Sequence, residues 1–187
     1  MSENEAEIEM FVAGLVLDPA SNAPIVILKD PTTDACLPIW IGLAEATAIA
    51  SALKRVQLPR PMTHDLLKNI LDEVDAKVLR IVISALHEGT FMALIELKVG
   101  DTVKLIDARP SDAIALAVRV SVAIYVKPEV LKEAQVTLVA VNPDEAVAAD
   151  FSPGKAEMED KNFANIEKGQ WADILASMDP DDFKYKM

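Results

Sequence analysis

The sequence predicts an α+β fold: a mixed, largely antiparallel sheet of several strands packed with three or four helices. Two features predict it. Alternating or β-branched apolar runs follow one another across short turns at 8–41 and again at 77–107. Apolar residues at helical spacing recur at 46–53, at 66–74 and after Pro110, each behind a residue suited to a helix start.

Taken in order, Ile8, Met10 and Val12 alternate before Gly14, which predicts a strand over 8–17. The turn residues Asp18, Pro19, Asn22 and Pro24 return the chain into Ile25–Leu28, so the first two strands form a hairpin. Asp30-Pro31-Thr32-Thr33-Asp34 is a second turn. Cys36–Ile41 follows as a third strand, which Pro38 assigns to a sheet edge or a bulge. Gly42 then opens a helix carrying Ala46, Ile49, Ala50 and Leu53 on one side, with Glu45 in its first turn. Arg60 and Pro61 lie in the break that follows. Thr63 is expected to cap a second helix, with Leu66, Leu67, Ile70, Leu71 and Val74 as its buried stripe. Strands over 77–83, 91–99 and 102–107 come next, joined at His87-Glu88-Gly89-Thr90 and at Gly100-Asp101. A short strand at 124–126 and a last helix from Pro128 to Ala134 complete a domain over residues 1–134. Val136–Val141 is a further candidate strand.

Residues 135–187 change character. They hold eleven Asp and Glu against five Lys and Arg, net −6, half of the chain's −12. This predicts an acidic, partly flexible extension with a short amphipathic helix near 169–178. One cysteine, Cys36, excludes an intrachain disulfide and a cysteine-based zinc cage. Two histidines leave little for a multi-histidine metal site, whereas a hard ion held by carboxylates stays open. No apolar run has the length of a membrane span, and the acidic N-terminus lacks the features of a secretory signal. The cytoplasm is the expected compartment. The net charge opposes general backbone-driven binding of nucleic acid, though 54–68 collects Lys54, Arg55, Arg60, His64 and Lys68 against Asp65 alone. If any surface meets phosphate, it is this one.

The stretch Asp107–Ala117 stands out. A strand runs into it, with Val103, Leu105 and Asp107 on one face, and a helix runs out. Pro110 suits the first helical position, Asp112 the first turn, and AIALAV is apolar nearly all round. Four polar groups, Asp107, Arg109, Ser111 and Asp112, therefore sit at the mouth of a buried helix. Charges there need partners. One explanation is a structural ion pair with a helix cap. The other is a site, in which Glu45 and His64 also take part. The helix dipole at the start of its own helix disfavours the imidazolium of His64, which makes that side chain a candidate general base.

The motifs LPIWIG at 37–42 followed by Glu45-Ala46, RPMTHDL at 60–66, DARPSDAIALA at 107–117 and IYV at 124–126 together resemble the bifunctional nuclease domain family over roughly residues 6–134. This family is also known as a domain of unknown function in bacteria and plants. The resemblance implies an α+β domain of mixed sheet and packed helices, and an activity on both RNA and DNA reported for some members. Phosphodiester hydrolysis needs an activated water and an offset for charge at phosphorus, which carboxylate-held Mg²⁺ or Mn²⁺ can supply. On that reading His64, Asp107, Asp112 and Glu45 are catalytic candidates, with Asp107 and Asp112 as metal ligands. Arg60, Arg109, Thr63, Ser111 and Lys68 are the candidates for holding RNA or DNA. Two alternatives stand beside it. The same set could bind an anion or nucleotide without catalysis, or the protein could act through assembly as a homo-oligomer. Alanine-rich helices and Trp40 on an edge strand are compatible with assembly.

Overall fold

A computed structural model describes residues 6–137. Its strands are β1 (Ile8–Leu17), β2 (Pro24–Lys29), β3 (Ala35–Trp40), β4 (Ala76–His87), β5 (Thr90–Val99), β6 (Thr102–Ala108), β7 (Ile124–Val126) and β8 (Val136–Thr137). Its helices are α1 (Leu43–Leu53), α2 (Thr63–Glu73), α3 (Pro110–Val120) and α4 (Pro128–Ala134). The strands form one mixed sheet in the order β6-β5-β4-β7-β1-β2-β3-β8. Every pairing is antiparallel except that of β4 with β7. The fold is α+β.

β1 joins the two halves of this sheet. Ile8–Met10 pair with β7, while Phe11–Leu17 pair with β2 across a bulge between Val12 and Gly14. The extra residue turns the strand toward its second partner. Glu88 and Gly89 both have positive φ, which suits the two-residue turn that closes β4 onto β5. Pro38 lies opposite Ile27 in β3, beyond the two residues that β8 pairs, so its missing N–H costs the sheet nothing on that side.

α3 is the centre of the domain. Ala113 to Ala117 are at most 1% exposed and pack on Ile81, Ile83, Ala93 and Ile95 of the sheet. α1 and α2 both lie against α3. The alanines let the helices come close, and the aliphatic side chains of β4 and β5 fill the layer beneath.

Two expectations about α2 are corrected. Its N-cap is Met62, not Thr63, and the Met62 N–H donates to Asp65 Oδ2 at 3.0 Å. The acidic side chain three residues on thus supplies the reciprocal half of a capping box, accepting from the backbone N–H of the N-cap residue. The apolar stripe is not buried either. Leu66, Leu67, Ile70 and Val74 are exposed, and only Leu71 packs on the core. Helical periodicity requires that one face be apolar, but it does not require a partner from the same chain. α2 is instead held through polar contacts at its first turn. The expected helix at 169–178 and most of the acidic extension lie outside the described residues. Of the candidate strand 136–141, Val136–Thr137 pair with Ala35 and Cys36 and the rest also lies outside.

Candidate functional site

Three helix N-termini meet beside the β6–α3 junction, and a chain of four side chains links them. Glu45, in the first turn of α1, lies 3.0 Å (Oε1) from Arg109 Nη2. Arg109 is the N-cap of α3 and reaches forward to Asp112, with Nε 2.7 Å from Oδ2 and Nη2 3.2 Å from Oδ1. Asp112 Oδ1 lies 3.1 Å from Nε2 of His64, the second residue of α2. The local sequence explains the placement. Pro110 starts the helix directly after Arg109, so the N-cap guanidinium and the Asp112 carboxylate three residues on face one another.

Burial pushes the Asp112 carboxyl upward. Hydrogen bonds from Arg109 and then from His64, with the charges behind them, outweigh that and hold it below the usual carboxylate value. Asp112 is therefore ionised and accepts only, so the hydrogen in its bond to His64 comes from Nε2. In the neutral ring that leaves the lone pair on Nδ1. The geometry is that of an imidazole oriented by a carboxylate, the arrangement a general base requires. Arg109 in turn is raised above its ordinary value, chiefly by its bond to Asp112.

Of the nine candidate residues, this network brings together Glu45, His64, Arg109 and Asp112. Ser111 is buried and lines a cavity of about 300 Å³ alongside Glu45 and Arg109. Asp107 sits in β6 opposite Leu94, exposed, and takes no part in the network. Thr63 is exposed at the start of α2, and Arg60 is exposed in the preceding loop. Lys68 pairs with Asp72 one turn on, at 2.6 Å. Arg109 is shared by two carboxylates, so it carries no surplus charge for a phosphate. Both Asp112 oxygens are already hydrogen-bond acceptors. Among the described residues no three His, Cys, Asp or Glu side chains are placed to share a metal ion.

Two features escaped the sequence reading. Arg119 is buried at 6% exposure, donates from Nε to Asp65 Oδ1 at 2.5 Å, and from Nη1 to the Ala48 and Ala115 carbonyls at 2.9 Å each. It joins α1, α2 and α3. The signal was a single arginine after the apolar run 113–118, where a buried charge demands a partner. Gly42 is the other. A Cβ at that position would overlap Glu45 Oε2, so the absence of a side chain makes room for the carboxylate.

Comparison with known proteins adds the following. The bifunctional nuclease domain family matches residues 26–139. The chain is 38% identical over 176 residues to an uncharacterized protein of Mycobacterium tuberculosis, a match covering 94% of this chain and 98% of that protein. It is 34% identical over 110 residues to Bifunctional nuclease 2 of Arabidopsis thaliana, and 32% identical over 116 residues to Bifunctional nuclease 1 of the same plant. These matches cover 57% and 60% of this chain but only 33% and 36% of the plant proteins.

Proposed function

From the premise that this chain belongs to the bifunctional nuclease domain family, we propose that it hydrolyses phosphodiester bonds in RNA or DNA, with His64 as the general base. The observation that carries this reading is the 3.1 Å contact of His64 Nε2 with Asp112 Oδ1, backed by Arg109 and Glu45. As a water oxygen bonds to phosphorus and the bond to the leaving oxygen breaks, Nδ1 takes the water's proton. Asp112 holds the ring in the required tautomer. The side chains of Glu45 and His64 are 16% and 13% exposed, whereas those of Arg109 and Asp112 are 57% and 35%, so water screens the middle of this chain of contacts more than its ends. Attraction of the strand falls to the basic stretch around Arg55 and Arg60, both exposed.

The divalent ion belongs to this proposal as one that arrives with the substrate. Mg²⁺ commonly keeps several waters and takes one or two carboxylates together with substrate phosphates. When bound it would offset charge at phosphorus. The compartment we assign is the cytoplasm. Among the described residues no helix is long and apolar enough to cross a membrane.

The exposed stripe of α2 favours one further reading, that the protein is a homo-oligomer in which a second copy covers Leu66, Ile70 and Val74.

The first reading is tested with fluorogenic single-stranded RNA and DNA, each with Mg²⁺, with Mn²⁺ and with chelator. Turnover by the wild-type protein and its loss in a folded His64→Ala variant are expected. Turnover that survives His64→Ala, or no turnover under any of these conditions, overturns it.

A further inference from the structure

We propose that the cavity beside Glu45 is a nucleobase subsite selective for guanine at an unpaired position of the strand. This rests on the reading that the protein acts on nucleic acid. The cavity, about 300 Å³, lies between the end of β3, the start of α1, the β4–β5 turn and the start of α3. That is at the small end of ligand pockets, suited to one ring system.

Its walls divide by chemistry. Trp40 and Phe91 line it, and Trp40 is 56% exposed although it carries the largest apolar surface of any residue type. Its indole N–H is directed to Asp18 Oδ2 at 3.4 Å, which ties the ring to the β1–β2 turn. Exposed aromatic faces of this kind are what unpaired bases stack on. Glu45 and Arg109 form the polar wall.

The charge there argues against phosphate as the occupant. Glu45 and Asp112 place two carboxylates on the one guanidinium of Arg109. The occupant that fits is neutral and rich in donors. Glu45 is accepting only when ionised, and the missing side chain of Gly42 gives its carboxylate a place in the wall. Arg109 directs Nε and Nη2 at the two carboxylates, while Nη1 has no partner among the described residues and still has hydrogens to donate. The wall therefore presents acceptors beside a donor. Guanine offers the complement, with two adjacent N–H groups (N1 and N2) for the carboxylate and O6 for the guanidinium. Adenine, cytosine and uracil each present one donor group with an acceptor beside it, and an acceptor facing Glu45 is repelled.

The test is calorimetric titration of the full chain with 5′-GMP, IMP, AMP, CMP and UMP in chelator, where diester hydrolysis plays no part. GMP should bind about tenfold or more tightly than the others. IMP, which lacks only the N2 amino group, reports the second donor at unchanged charge. Glu45→Gln should abolish the preference for GMP over AMP. Trp40→Ala, a change at an exposed side chain, should weaken all the nucleotides. The His64→Ala protein should retain GMP binding, so loss of hydrolysis and loss of the subsite are read separately. Equal binding of all five nucleotides, binding of none, or a GMP preference untouched by Glu45→Gln overturns the proposal.

Discussion

His64 Nε2 lies 3.1 Å from Asp112 Oδ1, and this contact joins the first turns of two helices 48 residues apart in sequence. Neither partner is fixed by its own helix alone. Asp112 is held by Arg109, which is held by Glu45, so all three helix starts bear on the orientation of one imidazole.

Asp112→Asn tests that dependence. The amide can donate to Nε2 and so stabilise the opposite tautomer, with the lone pair turned away from the substrate side. It also removes one of the two charges that pair Arg109. Hydrolysis should fall about a hundredfold, while circular dichroism and the oligomeric mass stay as in the wild type. Activity within about threefold of wild type would show that the carboxylate does not orient a base.

Arg119 holds the helix layer together from within. Its guanidinium is 6% exposed and meets Asp65 of α2, the Ala48 carbonyl of α1 and the Ala115 carbonyl of its own helix. Arg119→Leu keeps the bulk but leaves Asp65 without its partner. Asp65 is 39% exposed and water can take over part of that role. Urea unfolding should therefore show a loss of about 2–3 kcal/mol, at or just below the lower end of the roughly 3–5 kcal/mol that breaking a fully buried pair costs. A loss below about 1 kcal/mol would mean that the pair behaves as a surface pair.

The elements of the fold were legible because each carries a local signal: alternation in β1, Pro110 and Asp112 at the start of α3, and Glu88-Gly89 at the β4–β5 turn. The partners were not. Periodicity shows that Leu66, Ile70 and Val74 share a face of α2, but not that the described residues leave that face exposed. Glu45, His64, Arg109 and Asp112 could each be named from their positions at helix starts, where anions and caps collect. That Arg109 spends its charge on two carboxylates depends on distances between segments more than 60 residues apart, as Glu45 and Arg109 are. Asp107 looked equivalent to Asp112, yet strand alternation puts it on exposed β6 while the helix start carries Asp112 into the network.

Acid should unfold the protein through the same contacts. Asp65 and Asp112 both lie below the ordinary aspartate value of 3.8. For Asp65, burial works upward but is outweighed by bonds from Arg119 and the Met62 N–H. A carboxyl whose value is lowered by folding adds stability in full above its unfolded value and loses it as the pH falls through the lowered one. Stability from these two groups should thus be level above about pH 5 and should decline below about pH 4. Melting curves across that range check this. Asp65→Asn should show a lower plateau and a shallower acid decline, and an unchanged decline would assign it to other carboxylates.

Gly42→Ala separates site geometry from fold. The backbone at Gly42 is extended, with φ −75° and ψ 162°, so alanine fits it without strain. The added Cβ overlaps Glu45 Oε2, so the carboxylate that contacts Arg109 must shift. Stability should change by about 1 kcal/mol or less, the ordinary scale for a helix N-cap. Hydrolysis should fall about tenfold or more, since small displacements of a positioned group cost that much. Equal, small effects on both would show that the Glu45–Arg109 contact does not support the site.

The stripe on α2 tests assembly. Leu66 and Ile70 are 52% and 51% exposed in the single chain, so replacing both by lysine removes little intrachain packing. Lysine is also as good a helix former as either residue. In an isolated copy Leu66→Lys with Ile70→Lys should therefore change stability by about 1 kcal/mol or less. In an oligomer whose copies meet on α2, the same pair of changes places charges in the interface, and like charges then face each other across it. The variant should sediment at a lower mass than wild type at equal concentration, with its circular dichroism preserved. Its melting temperature should also lose the concentration dependence that linked assembly imposes on the wild type. An unchanged mass would exclude α2 as the contact between copies.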